Sequence, residues 1–462
     1  MSRLPGRAGS GPGDDRRRRH VDHFEAILPR YVSRIDWPAD RIYQERRRAL
    51  RRLLATAAER SPWHRERLAG IDVAGLSGVA SLPVMTKADL MDNFDAVVTD
   101  RRLTRELCER HLQQGAGGAY LLGEYQVVAS GGSSGRRGVF VYGWDAWAIC
   151  WASMMRFPHR DWASDPALAG VDRVAAVVAA SKPTHVSAAF RHTFSGSRTP
   201  EHLIPVSQPT GQIVAALNRL QPTELIGFSS VLPRLAREAQ AGRLRIAPRR
   251  VMAISEPLFP EARAAIQQAW DVPVGNRYGM SEGVFAGFCG HASHLPDDLC
   301  LFEPVGPAGR PVPDGVRSQR VYVTNLYNHV LPLIRFEVTD EVTVAGGTCP
   351  CGSAFRRITD PQGRLDDTFA YPGGVSIHPH LFRSSLGQHR QIIEYQVQQT
   401  PRGAEIRVVT DAPLDTAGAA MMIGETLAAA GLEQPDVTIT QAAVLARQAS
   451  GKLKRFIPLP GR

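Results

Sequence analysis

The chain has 462 residues, 43% of them hydrophobic and 22% charged, which suits two or three globular domains and excludes a disordered or fibrous chain. No apolar run reaches the roughly 18 residues of a membrane span, and Arg16–Arg19 has no apolar segment behind it, so a cytoplasmic protein without membrane contact is expected. The net charge is +10, but the arginines are scattered and no basic helix stands out, so an anionic small molecule fits the charge and a nucleic acid is not expected.

Taken in order, residues 1–20 are rich in Gly, Pro, Arg and Asp and read as a disordered tail. Residues 42–60 carry apolar positions at helical spacing and read as an amphipathic helix. Thr86, ahead of Lys87 and Asp89, starts a capped helix over 86–93. At 127–141 an apolar run stops at Ser130, small residues and two arginines follow, and apolar residues resume. This reads as strand, flexible loop, strand. Glycines there let backbone N–H groups close on phosphate oxygens. The same residues would also make a plain polar hairpin. The stretch Val139–Met155, broken by Gly143, Asp145 and three Trp residues, suits a buried strand and then a helix.

From 127 to 345, strand-like runs at 174–180, 224–228, 250–254 and 272–274 alternate with helical runs at 213–220, 231–240 and 260–269. The alternation predicts an α/β architecture with a substantially parallel sheet. Runs 321–325 and 333–338 then read as an antiparallel pair, and Pro361 with Gly363 marks a linker. Strands at 392–398, 405–410 and 437–444 with a helix at 416–430 predict a small α+β domain. The expected division is 1–20, 21–363 and 364–462.

Six cysteines occur: Cys108, Cys150, Cys289, Cys300, Cys349 and Cys351. Without a secretory leader, a metal or reduced buried thiols are favoured over disulfides. Cys349-Pro350-Cys351-Gly352 is a tight pair, with Cys289, His291, His294 and Cys300 upstream. Three thiolates and one imidazole make a structural zinc set; cysteines packed as small hydrophobes are the alternative.

A series of short motifs occurs in order: Leu82–Phe94, Ser130–Gly138, Ser255-Glu256-Pro257, Tyr278-Gly279-Met280-Ser281-Glu282, Leu331–Phe336 running on to Asp340, Gly363–Asp367, and Ser450-Gly451-Lys452. Together they resemble the adenylate-forming superfamily, and most closely its phenylacetate–coenzyme A ligase branch. The resemblance covers nearly the whole chain after residue 40. It implies a large N-terminal domain, with parallel and mixed sheets, that binds ATP and an acyl group. A small mobile α+β lid would follow at the C-terminus.

The resemblance also implies roles for residues. Ser130, Gly131, Gly132, Ser133, Ser134 and Gly135 would form the phosphate loop. Ser255, Glu256 and Pro257 would border the adenine, and Tyr278, followed by Gly279, would stack on it. Ser281 belongs to the same motif, and Glu282 would hold Mg²⁺, a hard cation that takes carboxylate oxygens. Asp340 would accept from the ribose hydroxyls, and Arg364 would contact the nucleotide. Asp366 would be the hinge, and Lys452 would stabilise charge on the forming acyl-phosphate. Lys452 is one of only four lysines, with Lys87, Lys182 and Lys454. The acyl group, expected from an aryl acid, would sit by Phe228, Ser229, Ser230 and Met280; His185, Phe190 and Trp147 are further candidates, more often core. Some members of the branch hold zinc, which points to Cys289, His294, Cys349 and Cys351.

The phosphate loop departs from the family pattern. Gly131 stands for a Ser, Arg136 for the Lys, Arg137 for the Pro, and Gly138 where a hydroxyl residue is common.

The expected activity joins a carboxylate to the α-phosphate of ATP, releasing pyrophosphate, then passes the acyl group to a thiol, coenzyme A first among candidates. Another acceptor (an amine, a carrier protein), or another acid such as nitrite, keeps the first step and changes the rest. A non-catalytic binding protein of the same fold is the rival from another class. Relatives are often homodimers.

Overall fold

The computed structural model describes residues 12–72, 78–114, 119–130, 138–164, 173–179, 186–195, 197, 201–359, 361, 363–364, 367–389, 391–448 and 453–459. Its centre is a five-stranded parallel sheet. The strand order is Glu201–Pro205, Ala175–Ala179, Glu224–Phe228, Arg250–Ile254, Val274–Arg277. Every residue of Ala175–Ala179 and Glu224–Phe228 is buried, the pattern of parallel strands covered on both faces. Helices Thr210–Leu220, Leu232–Gln240 and Pro260–Trp270 fill the crossovers, as the alternation predicts. The last strand begins at Val274 rather than 272; Pro273 has no N–H to give to the ladder.

The register of this sheet sets up everything that follows. Phe228 pairs with Ile254, and Ile254 with Arg277. These are the last residues of their strands, so the chain leaves the sheet in one row at Ser229, Ser255 and Tyr278. Open parallel sheets bind ligands outside the carboxyl ends of their strands.

Arg320–Asn325 lies between Cys300–Val305 and Phe336–Val338 in an antiparallel sheet. Asp340–Glu341 pairs with Gly363–Arg364, setting Asp340 opposite Arg364. A four-stranded sheet of two-residue strands runs Val344–Ala345, Arg357–Ile358, Ser293–His294, Gly287–Phe288. The chain's last sheet is mixed, in the order Asp436–Gln441, Gly403–Thr410, Ile392–Thr400, Phe456–Ile457, with helix Thr416–Ala429 against it. Its core, from Phe369 to Phe456, is separate from the apolar clusters formed by residues up to Ile358. Among the described residues no helix is long and apolar enough to cross a membrane.

The tail expected over 1–20 needs correction from residue 12 onward. A helix spans Pro12–Ser33, and His20, Phe24, Leu28 and Tyr31 recur at helical spacing on its buried face. Composition alone concealed that spacing. His20 lies stacked on Trp144, with ring centroids 3.9 Å apart, and bonds to the Tyr120 hydroxyl at 2.7 Å and the Trp144 carbonyl at 3.0 Å. Beneath this helix the Asp298 carboxylate is fully buried between Arg34 (3.1 Å) and Arg156 (2.9 Å). The triad ties the N-terminal segment to helix Trp144–Ser164.

Two buried histidines make stability depend on pH. Burial pushes the imidazoles of His20 and His64 down to about 4. In the unfolded chain they titrate near 6.5, so between pH 6.5 and 4 the unfolded state holds protons the folded state refuses. Stability therefore rises with pH across that window. Each ring contributes about 2 kcal/mol less at pH 5 than above pH 7. The thermal midpoint should fall from pH 7.5 to pH 5, and a His64→Gln variant should fall less steeply. An unchanged midpoint over this range would contradict the assignment.

Candidate functional site

A cavity of about 450 Å³ opens where strands Arg250–Ile254 and Val274–Arg277 end. Of the residues singled out from sequence, Ser130, Ser255, Glu256, Pro257, Tyr278, Gly279, Met280, Ser281, Glu282 and Asp340 line it. Gly131, Gly132, Ser133, Ser134, Gly135, Asp366, Lys452 and His185 lie outside the described residues. Arg364 is placed by its backbone, paired with Asp340.

The turn at Ser255 explains how Glu256 is aimed. Ser255 has φ +66°, and the Glu256 N–H bonds to the Ile254 carbonyl at 2.9 Å, closing a three-residue turn. A glycine would adopt this conformation without the strain a serine accepts. The Glu256 carboxylate then takes the Ser230 N–H at 2.9 Å and the Leu453 N–H at 2.9 Å. It joins the sheet edge to the segment directly after Lys452 rather than merely bordering a base.

The Tyr278–Glu282 segment is a tight, well-anchored hairpin. Met280 N–H bonds to the Val284 carbonyl at 3.0 Å, and Ala286 N–H to the Tyr278 carbonyl at 2.9 Å. Tyr142 Oη donates to the Ser281 carbonyl, and Asn325 Nδ2 to the Glu282 carbonyl at 3.0 Å. Gly283 has φ +93°, and a Cβ there would overlap the Asn325 amide, so only glycine fits. This frame holds the Tyr278 hydroxyl 3.0 Å from Asp340 Oδ2, across 62 residues of sequence.

The C-terminal unit closes on the same edge. Arg447 donates to Ser230 Oγ at 3.0 Å and forms an ion pair with Glu394 at 2.6 Å, where Glu394 is buried. Arg383 and Arg455 stack over Phe259, their guanidinium carbons 3.8 and 5.0 Å from the ring centroid. Phe456–Ile457 pairs in parallel with the strand Ile392–Thr400, and this seats Leu453, Lys454 and Arg455 in the cavity wall.

Part of the set expected around an acyl group lies outside the cavity lining. Phe228, Ser229 and Ser230 do not line the cavity. Phe228 packs in the sheet core, Ser229 Oγ donates to the Glu256 carbonyl at 3.0 Å, and Ser230 holds Glu256 and Arg447. Ser229 leaves the sheet in the same row as Ser255 and Tyr278, but it and Ser230 turn to Glu256. Trp147 and Phe190 are fully buried, their rings stacked 4.1 Å apart in the core. The wall is built instead from Met154, Val186, Arg191, Asn276, Arg277 and Phe285. Arg277 was legible as a charged residue ending an otherwise buried strand; Arg191, on the helix Val186–Phe194, carried no such signal.

The donor atoms of Cys289, His294, Cys349 and Cys351 lie within 4.8 Å of one another. Cys289 and Cys349 sulfurs are 3.6 Å apart, and Cys351 Sγ is 3.3 Å from His294 Nε2. His294 Nδ1 donates to the Phe355 carbonyl at 3.0 Å, which leaves the Nε2 lone pair facing the thiols. Burial lowers this imidazole to about 4 and raises the Cys289 thiol to about 12. Such a donor set, at these separations, has the chemistry of a tetrahedral zinc site. His291 is exposed, and Cys300 is buried in a different core cluster.

No protein-family model matches the chain, and no curated protein matches it. Solved structures do. At 19% identity, over 93% of this chain and 91% of the other, it superposes with a TM-score of 0.69 on 2-hydroxyisobutyryl-CoA ligase in the postadenylation state in complex with R3-HIB-AMP. The same ligase in the thioesterification state with 2-HIB-AMP and CoA gives 0.58, at 20% identity over 92% and 91% of the two chains. Its open conformation with 2-HIB-AMP and CoA gives 0.57, at 20% identity over 93% of each. The chain has the adenylate-forming fold, with a large N-terminal domain and a smaller C-terminal one.

Proposed function

We propose that the protein is an ATP-dependent ligase that activates a carboxylic acid as its acyl-adenylate and transfers the acyl group to a thiol, coenzyme A. One observation carries this reading. Ser255–Pro257, Tyr278 with Glu282, and Asp340, three separate stretches of sequence, line one cavity whose wall also includes Leu453, Lys454 and Arg455 of the C-terminal unit. That constellation suits a nucleotide held by its base and ribose, with its phosphates toward Ser130.

In the first step a carboxylate oxygen attacks the α-phosphorus, and the bond to pyrophosphate breaks. Two anions must be brought together, so charge cancellation and alignment supply most of the catalysis. Tyr278 would stack on the base, Asp340 would take the ribose hydroxyls, and Ser130 with the loop after it would hold phosphate oxygens. Glu282 has the hard oxygen donors that Mg²⁺ takes. Lys452 would reach the α-phosphate and the attacking carboxylate. In the second step the thiolate attacks the acyl carbonyl and AMP leaves. The ligase structures in different states support a lid that changes position between steps, with Gly363–Asp367 as its hinge. Cys289, His294, Cys349 and Cys351 would hold one zinc ion in a structural role.

The test is acid-dependent pyrophosphate release by the full chain with ATP and Mg²⁺, across aryl, fatty and amino acids. Each active acid is then offered coenzyme A, an amine and a carrier-protein thiol. Pyrophosphate release with a carboxylic acid, then a coenzyme A thioester, is expected. Release with no carboxylic acid would contradict the reading.

A further inference from the structure

Two arginines that the adenylation chemistry leaves unused line the same cavity, Arg191 and Arg277. Their surroundings are charged but largely paired off. Arg173 holds Glu224 at 2.6 Å, Arg250 lies 3.4 Å from Asp161, and Arg191 lies 4.0 Å from Glu201. Four arginines here face three carboxylates; Glu201 and Glu224 act on the Arg277 charge from a distance, but each is paired to another arginine and neither forms an ion pair with Arg277. Its guanidinium forms no hydrogen bond or ion pair among the described residues, and its Nη2 is buried without a partner. Arg191 Nε is buried without a partner too. Burial depresses both groups below the ordinary arginine range, and the charge on Arg277 further disfavours that on Arg191.

A buried guanidinium facing a cavity is costly unless an anion completes it. Around them the wall is largely apolar, with Met154, Val186, Ile254 and Phe285, and its polar members Ser187 and Asn276 are uncharged. Arginine's planar fork matches a carboxylate with two parallel hydrogen bonds. The reading above gives the nucleotide to Tyr278, Asp340, Glu282 and Ser130 and assigns it no contact with Arg277.

We propose that the acid activated in this cavity is a dicarboxylic acid, one carboxylate reacting and the other held by Arg277 with Arg191 beside it. This rests on the acid-activating reading given above. The reacting carboxylate forms the new bond to the α-phosphorus and pyrophosphate departs. The second carboxylate keeps its charge and undergoes no bond change. Arg277 touches the substrate but not the reacting atoms, so it sets specificity.

The experiment uses the full-length protein with ATP and Mg²⁺ and matched acid pairs: benzoate and isophthalate, butyrate and succinate, pentanoate and glutarate. The better dicarboxylate should exceed its monocarboxylate partner in kcat/KM by about 100-fold or more, since a site built around a polar group rejects analogues lacking it. Arg277→Gln should raise KM for that dicarboxylate about 100-fold and leave KM for ATP within about 2-fold. Arg191→Gln, farther from the strand, should weaken the same preference less. Without ATP, the dicarboxylate should raise the thermal midpoint of the native protein and not that of Arg277→Gln. Monocarboxylates matching or outpacing dicarboxylates in every pair would overturn the proposal and leave the acid-activating reading intact. So would an Arg277→Gln defect confined to KM for ATP. Release driven by nitrite alone, or by no acid, would remove both.

Discussion

Lys452→Ala is expected to slow acid-dependent pyrophosphate release by about 100- to 1,000-fold, the cost of removing one positioned donor from developing charge. The geometry around that position argues for so large an effect. The next residue, Leu453, has its N–H on the Glu256 carboxylate at 2.9 Å, and Gln396 holds the Lys454 carbonyl at 2.9 Å. The first bond fastens the segment after Lys452 to the cavity rim, and the second holds it to its own sheet. Arg455 cannot substitute, because its guanidinium is stacked between Phe259 and Tyr395. On the function proposed above, a different face of the lid would serve thioester formation, so that step, started from a presynthesised acyl-adenylate, should survive in the same variant. The two rates separate a lysine that acts on the phosphate from one that merely holds the fold. Unchanged pyrophosphate release would displace the lysine from the mechanism.

The second large effect is on metal content and stability. The purified protein is expected to carry one equivalent of zinc, and Cys349→Ser to lose it, with a fall in thermal midpoint of about 10 °C. The reason lies in how little else holds this corner. Cys289 and Cys349 share a small cluster with Ile35, Ile42, Phe157 and Phe355. It joins the segment after the Tyr278 hairpin, the turn at Cys349–Gly352 and the N-terminal helices, in a region of two-residue strands. A Cys289 thiol that burial raises to about 12 stays protonated without a metal, and a bound cation reverses that. Pyrophosphate release should fall only as far as the folded fraction falls, because none of the four ligands lines the cavity. A metal-free protein whose midpoint is indifferent to Cys349→Ser would leave the four side chains as packing residues.

The parallel sheet was the most legible part of the sequence. Glu224–Phe228 and Arg250–Ile254 are short apolar runs between strongly periodic helices, and their observed bounds match those read from pattern. The helix Pro12–Ser33 was hidden because its polar residues outnumber its apolar ones, and only the spacing of His20, Phe24, Leu28 and Tyr31 reveals it. Motif order anticipated which segments reach the cavity, since Ser255–Pro257 and Tyr278–Glu282 each begin where a strand ends. It could not tell Ser229 and Ser230 from lining residues. They too follow a strand, but their groups turn to Glu256 and Arg447. Arg191 and Arg277 were missed because a sequence does not reveal which arginines reach the cavity, nor that Arg277 is left without an ion pair once Glu201 and Glu224 face Arg191 and Arg173.

The central claim is that the cavity at the sheet's carboxyl edge binds ATP through Tyr278 and Asp340. A crystal structure of the full chain with a non-hydrolysable ATP analogue and Mg²⁺ tests it most directly. The account predicts the adenine against the Tyr278 ring, the ribose hydroxyls on Asp340 and the metal on Glu282. A nucleotide bound elsewhere, with Tyr278 and Asp340 still joined only to each other, would contradict it.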